Sequence, residues 1–195
     1  LPNKKMRGQS IAKYEPLSRS YFKLWEMIVD FKLLLEDGDY VMCGLAEGPG
    51  GFIEAYANYR KKKFSKQDKI FGMTLKSINK DIPGWKKSKM FLNENPNITI
   101  TYGEDNTGNI YNLDNIKSLR KLVNNNNVDF ITADGGFDFS IDFNKQELLA
   151  YRMIFCEIVT ALSIQKLGGT FICKIFDIYT KLTIQFIYLL GYFYD

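Results

Sequence analysis

The 195-residue chain is 46% hydrophobic and 25% charged with a formal net charge of +4, which describes one globular domain with a full core and permits, without demanding, a polyanionic partner. No apolar run reaches the ~18 residues of a membrane span, since the longest, Leu182 to Tyr194, contains Gln185, and "LPNKKMRGQS" has no apolar signal-peptide core behind its basic residues. Histidine is absent and Cys43, Cys156 and Cys173 form no CxxC pair. That argues against a metal site, a disulfide framework and any His-dependent nucleophile, and for a reducing intracellular compartment, nucleus or cytoplasm.

Helical spacing of Phe22, Trp25, Met27, Ile28 and Phe31, with Ser18 or Ser20 as N-cap, predicts a first helix. A strand over Val41 to Ala46 follows, then a glycine loop and a helix over about Phe52 to Lys62. Next come a strand over Lys69 to Leu75, an irregular basic stretch around Pro83, Gly84 and Trp85, and a strand over Asn97 to Gly103. Leu113, Ile116, Leu119 and Leu122 share one helix face, and "NNNN" (Asn124 to Asn127) reads as a turn. "VDFITADGG" is a fourth strand, Lys145 to Lys166 a long helix, "GGTFICKIF" a fifth strand, and a last apolar helix starts near Thr180. Nearly continuous apolar strands alternating with helices predict an α/β fold, a mostly parallel sheet with helices on both faces.

In such a sheet ligands bind beyond the carboxyl ends of the strands, where the loop "AEGPGGF" lies. It is not GxGxxG, the second strand ends in Thr74-Leu75 rather than an acid, and a P-loop lysine is missing, so neither a dinucleotide nor ATP is supported. "AEGPGGF" resembles motif I of the FtsJ-type S-adenosylmethionine-dependent methyltransferases. "SRSYFKL", "TADGGF" and "GGTFICKIF" resemble that family's N-terminal lysine, fourth-strand aspartate and fifth-strand lysine motifs. "FGMTLK" and "ALSIQKLGGTFICKIFD" are most similar to the mRNA cap 2′-O-ribose methyltransferases, eukaryotic and viral. The resemblance covers about Ser18 to Leu190 and implies a Rossmann-like methyltransferase domain over residues 18–195 behind an N-terminal extension of 1–17. Its last strands would be missing from this sequence.

The resemblance assigns Lys23, Asp134 and Lys174 to the family's Lys-Asp-Lys-Glu set. The glutamate would come from a later strand, and Asp195 is too near the last helix to match it. Lys174 is the candidate general base, since a second ammonium from Lys23 and loss of water would both disfavour its charged form. Taken singly, Lys23 also reads as a solvated helix lysine, Asp134 as a turn former and Lys174 as a strand-edge charge. Glu47, Gly48, Pro49, Gly50, Gly51 and Phe52 would hold S-adenosyl-L-methionine at its methionine end, with S-adenosyl-L-homocysteine as product. Thr74 and Leu75 would flank its ribose and adenine, Asn109 and Ile110 would contact the base, and Asp134 would lie near the methyl donor. The acid that usually opens motif I is replaced by Gly44, and Glu47, three residues on, is its candidate substitute.

RNA contacts are expected from Arg19, Lys76, Lys86, Lys87 and Lys89, with Trp85 either stacked on a base or in the core. "RKKK" (Arg60 to Lys63) reads either as a helix C-terminus or as part of an RNA groove. The expected partners are RNA, foremost capped mRNA, and proteins of the capping machinery, with no membrane. A ribosomal or transfer RNA 2′-O-methyltransferase and a non-catalytic RNA-binding subunit are the alternatives. The Lys- and Asn-rich composition hints at a viral origin, which would place the protein in host cytoplasm.

Overall fold

A computed structural model describes residues 14–76, 84–125, 127–136 and 145–194; Pro83, Phe137 and Asp195 lie outside them. Five strands form one parallel sheet in the order β3-β2-β1-β4-β5. These are β1 Val41–Leu45, β2 Lys69–Met73, β3 Ile98–Thr101, β4 Val128–Ala133 and β5 Gln165–Cys173. The helices are α1 Ser20–Asp30, α2 Gly51–Phe64, α3 Lys89–Glu94, α4 Leu113–Leu122, α5 Gln146–Ile164 and α6 Lys181–Phe193. Strand order reverses between β1 and β4, which opens a crevice at the carboxyl ends of both. Among the described residues no helix is long and apolar enough to cross a membrane.

Alternation along the strands divides the core. Met42, Ile70 and Phe130 face α1 and α2, joining Leu24, Ile28, Phe52 and Tyr56. Cys43, Leu45 and Ile131 face the other way, onto Leu119 of α4 and Ala161 and Ile164 of α5. Strands buried on both faces have no polar side to show, which is why they read as unbroken apolar runs.

Helix starts differ from expectation at two places. Arg19, not a serine, occupies the cap of α1, and the Ser18 and Ser20 hydroxyls bond each other at 2.5 Å. The stretch after Gly84 is not irregular: Trp85–Ser88 forms a 3-10 turn that runs into α3. In the asparagine stretch after α4, Asn124 and Asn125 take the left-handed region at φ 61 and 56, and Asn126 lies outside the described residues.

Candidate active site

The loop between β1 and α2 is held from three sides. Gly50 has φ 101, and a Cβ there would stand 2.3 Å from Trp85 Cη2. A Cβ on Gly51 would stand 2.1 Å from Ser18 Oγ and 2.3 Å from Ser20 Oγ. The Ser88 hydroxyl donates to the Pro49 carbonyl at 2.5 Å. Glycine is required here by close approach as well as by backbone angle. Trp85 is 5% exposed, so it closes the back of the loop. The base-stacking alternative for it is corrected, because no ring face is left for RNA.

Glu47 lies against the Gly44 position. Its carboxyl folds back over the first strand, accepting from the Ile53 backbone N–H at 3.2 Å and from the Thr132 hydroxyl. A Cβ on Gly44 would meet Glu47 Cδ and Oε2 at 3.0 Å and Ile53 Cδ1 at 2.9 Å. An acid on β1 and Glu47 in this pose therefore exclude each other, and the glycine makes the room. Burial pushes the Glu47 carboxyl well above the usual range, and the Asp134 and Glu157 charges push it further. The Thr132 and Ile53 bonds pull the other way.

The sheet reversal brings the lysine and aspartate together. Lys174 follows the last residue of β5, and its N–H extends the ladder to the Ala133 carbonyl at 2.9 Å. Its ammonium lies 3.0 Å from both the Asp134 Oδ1 and the Asp134 carbonyl, and 4.9 Å from the Phe176 ring centroid. Lys23 comes from the exposed face of α1. Lys23, Arg19, Ser18 and Ser20 line a cavity of about 260 Å³ together with Glu47, Gly48, Pro49, Gly51, Phe52 and Asp134. Asp134 thus touches Lys174 on one side and a cavity shared with Lys23 on the other.

The second group of expected contacts sits apart from that cavity. Thr74 is linked to the glycine loop by accepting from the Gly48 N–H at 3.3 Å. Beyond it, the Lys76 N–H donates to the Thr107 carbonyl at 2.7 Å, and a Cβ on Gly108 would run into the Thr74 carbonyl at 1.8 Å. The loop holding Asn109 and Ile110 therefore packs on the end of β2. Ile110 is 8% exposed while Leu75 is open to solvent. Asn109 Oδ1 accepts from the Tyr111 N–H at 3.0 Å, and its backbone carbonyl accepts from Asn115 Nδ2 at 3.0 Å.

The sequence profile of the FtsJ-like methyltransferases matches residues 16–195. The chain belongs to the FtsJ-like methyltransferase family. Mouse cap-specific mRNA (nucleoside-2′-O-)-methyltransferase 1 is 37% identical over 169 residues, covering 82% of this chain and 19% of that protein. The human protein of that name is 39% identical over 150 residues, covering 73% and 17%. A Trypanosoma cruzi relative of that name is 34% identical over 161 residues, covering 82% and 42%. The chain thus spans about a fifth of the length of the mammalian relatives. A solved structure described as a ribosomal RNA methyltransferase from Plasmodium falciparum superposes with a TM-score of 0.58 at 20% identity, covering 90% of this chain and 86% of that one. That likeness bears on the fold, which it matches.

Within this FtsJ-like domain the basic clusters divide. Arg60 of "RKKK" is buried, pairing with Asp68 at 2.6 Å and donating to the Glu36 and Gly38 carbonyls. It is a core residue, so the groove alternative loses it, whereas Lys61 to Lys63 end α2. Lys86, Lys87 and Lys89 are exposed around the buried Ser88, whose bond to Pro49 ties their turn to the cavity rim. Lys76 is exposed and lies 5.2 Å from the Tyr102 ring centroid.

Proposed function

We propose that this domain transfers a methyl group to a ribose 2′-hydroxyl of RNA, with the first transcribed nucleotide of capped mRNA as substrate. The observation that carries the reading is the Lys174–Asp134 pair, set beside a glycine-walled cavity that Lys23 also lines. S-adenosylmethionine would supply an electrophilic methyl group on a good leaving sulfur. The residues fit its amino-acid end. Gly48 and Gly51 bring bare backbone to the cavity, and the amino end of α2 above them favours a carboxylate. Thr74, Leu75, Asn109 and Ile110 would take the adenosine at the end of β2.

Each protein group then has a separable task. Lys174, as the neutral amine, takes the 2′-hydroxyl proton as the oxygen–carbon bond forms and the sulfur–carbon bond breaks. Asp134 fixes the direction of the Lys174 side chain through two 3.0 Å contacts, so the nucleophile is met by a base already in place. Lys23 places a cation at the cavity, where it attracts RNA phosphate. Arg19, Lys76, Lys86, Lys87 and Lys89 supply the exposed charges for the RNA backbone, giving affinity that falls as salt rises. The methyltransferase domain occupies residues 18–195 behind the 1–17 extension. The outer edge of β5 has no partner strand among the described residues.

Methyl transfer to short RNAs differing only in the cap tests the substrate. Transfer restricted to capped RNA is expected, and equal rates on capped and uncapped RNA would move the assignment to ribosomal or transfer RNA. Lys174→Ala should lower transfer by about 10²–10⁴-fold while calorimetry still detects cofactor binding. Retained turnover in that variant would remove Lys174 as the base.

A further inference from the structure

Behind the turn that carries Asp134 lies a carboxyl group to which the reading above gives no task. Glu157 comes from α5 and is fully buried, and neither of its side-chain oxygens has a hydrogen-bond partner of ordinary geometry among the described residues. Its position is closely constrained. A Cβ on Gly135 would come within 2.3 Å of Glu157 Oε1 and 2.7 Å of Met153 Sδ, and a Cβ on Gly136 would stand 3.4 Å from Lys174 Nζ. One two-glycine turn therefore touches both the buried carboxyl and the ammonium, and Asp134 immediately precedes it.

A buried acid without partners is expensive, and an apolar side chain of that size would fill the same space without the penalty. We infer that Glu157 is a positioning residue for the transfer, a buried counter-charge that governs how tightly Lys174 holds its proton; this rests on the methyltransferase reading given above. The groups facing Glu157 are Lys174 and Cys173 at the end of β5, Asp134 and the Gly135 N–H after β4, and Glu47 after β1. Tyr111 ahead of α4 and Cys156 on its own helix complete the surroundings. Lys174 is the one cation among them.

Burial pushes the Glu157 carboxyl up to about 8. Lys174 and the Gly135 backbone oppose that rise, and the Asp134 charge adds to it. While neutral, Glu157 leaves Asp134 as the sole carboxylate bonded to the Lys174 ammonium. Once ionised, it sets a second negative charge toward the same ammonium and holds the proton on. Glu157 exchanges no atom with substrate: the hydroxyl proton goes to the Lys174 amine and from there to solvent.

Carbon-13 spectra of glutamate carboxyls, followed against pH in the unsubstituted protein and in Lys174→Met, test this without relying on activity. One glutamate should titrate near 8, and its midpoint should rise by about one unit when the ammonium is removed. Glu47 also titrates high, but it faces Asp134 and Glu157 rather than Lys174 and should stay in place. In Glu157→Gln that signal should vanish. The rising limb of kcat against pH should then move to lower pH, a gain of about tenfold in rate on the limb. A midpoint indifferent to Lys174→Met, or a Glu157→Gln rate changed by one factor at every pH, would overturn the proposal. If Glu157→Gln does not fold, the paired titrations still decide it. Should no RNA be methylated at all, the methyltransferase reading fails while the titration result stands on its own.

Discussion

Around β1 and α2, Met42, Cys43, Leu45, Ile53, Ala55 and Tyr56 have no exposed surface at all. Across the sheet, no residue of β5 is fully buried, and Thr183 is the one buried residue of α6. Leu167 is 100% exposed, Tyr188 82% and Tyr192 78%. The glycine cradle belongs to the first region and Lys174 to the second. Dense packing, with the Ser88 bond to Pro49 and the Gly48 bond to Thr74, therefore fixes the loop that would hold a cofactor. Lys174 depends instead on one ladder bond and one carboxylate. The unoccupied flank beside β5, a groove of about 770 Å³ that includes Phe171, Cys173, Leu190 and Phe193, leaves that strand less constrained than β1.

The sharpest way to break this contrast is at Asp68. Its carboxylate holds Arg60, accepts from the Tyr56 hydroxyl at 2.9 Å and takes the Tyr40 N–H at 3.3 Å. Asp68→Ala leaves a guanidinium buried without its counter-ion and should cost about 3–5 kcal/mol in chemical denaturation. The ion pair at the head of β5, Lys166 with Asp129 at 2.9 Å, has its lysine side chain 57% exposed. Lys166→Ala should scarcely move the denaturation midpoint. Comparable losses from the two variants would mean that the regions are equally braced.

Glycines give the next largest difference. Gly50→Ala combines a left-handed backbone angle with a Cβ 2.3 Å from Trp85, and overpacking of that kind costs about 1–3 kcal/mol beyond the backbone strain. It should also displace the cradle and weaken cofactor binding. Gly168 has φ 78 but open space around its missing Cβ, so Gly168→Ala meets only the backbone strain of about 1–2 kcal/mol. Paired melting curves read the gap between them, and equal shifts would argue against the tight fit of Trp85.

The pH dependence of stability reports on the buried carboxyl behind Asp134. Glu157 rises from its ordinary 4.5 to about 8 in the native state. The native state keeps a proton that the unfolded chain gives up above 4.5. Stability therefore falls as pH rises from about 4.5 to about 8, then levels off. Glu157→Gln should flatten that part of the curve relative to the unsubstituted protein, leaving the variant relatively better off at pH 8.5 than at pH 5. Parallel curves across that window would show that Glu157 does not titrate there.

The centre of the fold was legible because burial on both faces makes β1 and β4 unbroken apolar runs. The glycine loop was legible because its backbone needs residues without Cβ. The resemblance pointed to Lys23, Asp134 and Lys174, though no periodicity could say that Asp134 would meet Lys174 across two strand ends. What stayed hidden were polar residues inside apolar patterns. Glu157 has the buried Met153, Ile154, Thr160 and Ala161 at spacings of three and four, so its place on the inward face of α5 was available as a signal. Arg60 hid in a basic run although Tyr56, one turn earlier, marks the buried side of α2. The turn at Trp85 and α3 were missed because a short helix after a loop has too few turns to show a period, although the core reading of Trp85 itself holds.

The smallest effect is expected within α6, where a Cβ on Gly191 would have nothing within 4 Å and the surrounding stretch is exposed. Alanine there removes backbone freedom from the unfolded chain without meeting any atom. Gly191→Ala should stabilise by about 0.5–1 kcal/mol, at the lower end because the site is close to the helix terminus. The sign matters more than the size. On the β1 side an added Cβ at Gly44, Gly50, Gly51 or Gly72 runs into a neighbour, so a gain at Gly191 is what a loosely packed flank should give. A loss that grows with protein concentration would mean that the open side of α6 is covered in solution by another copy of the chain.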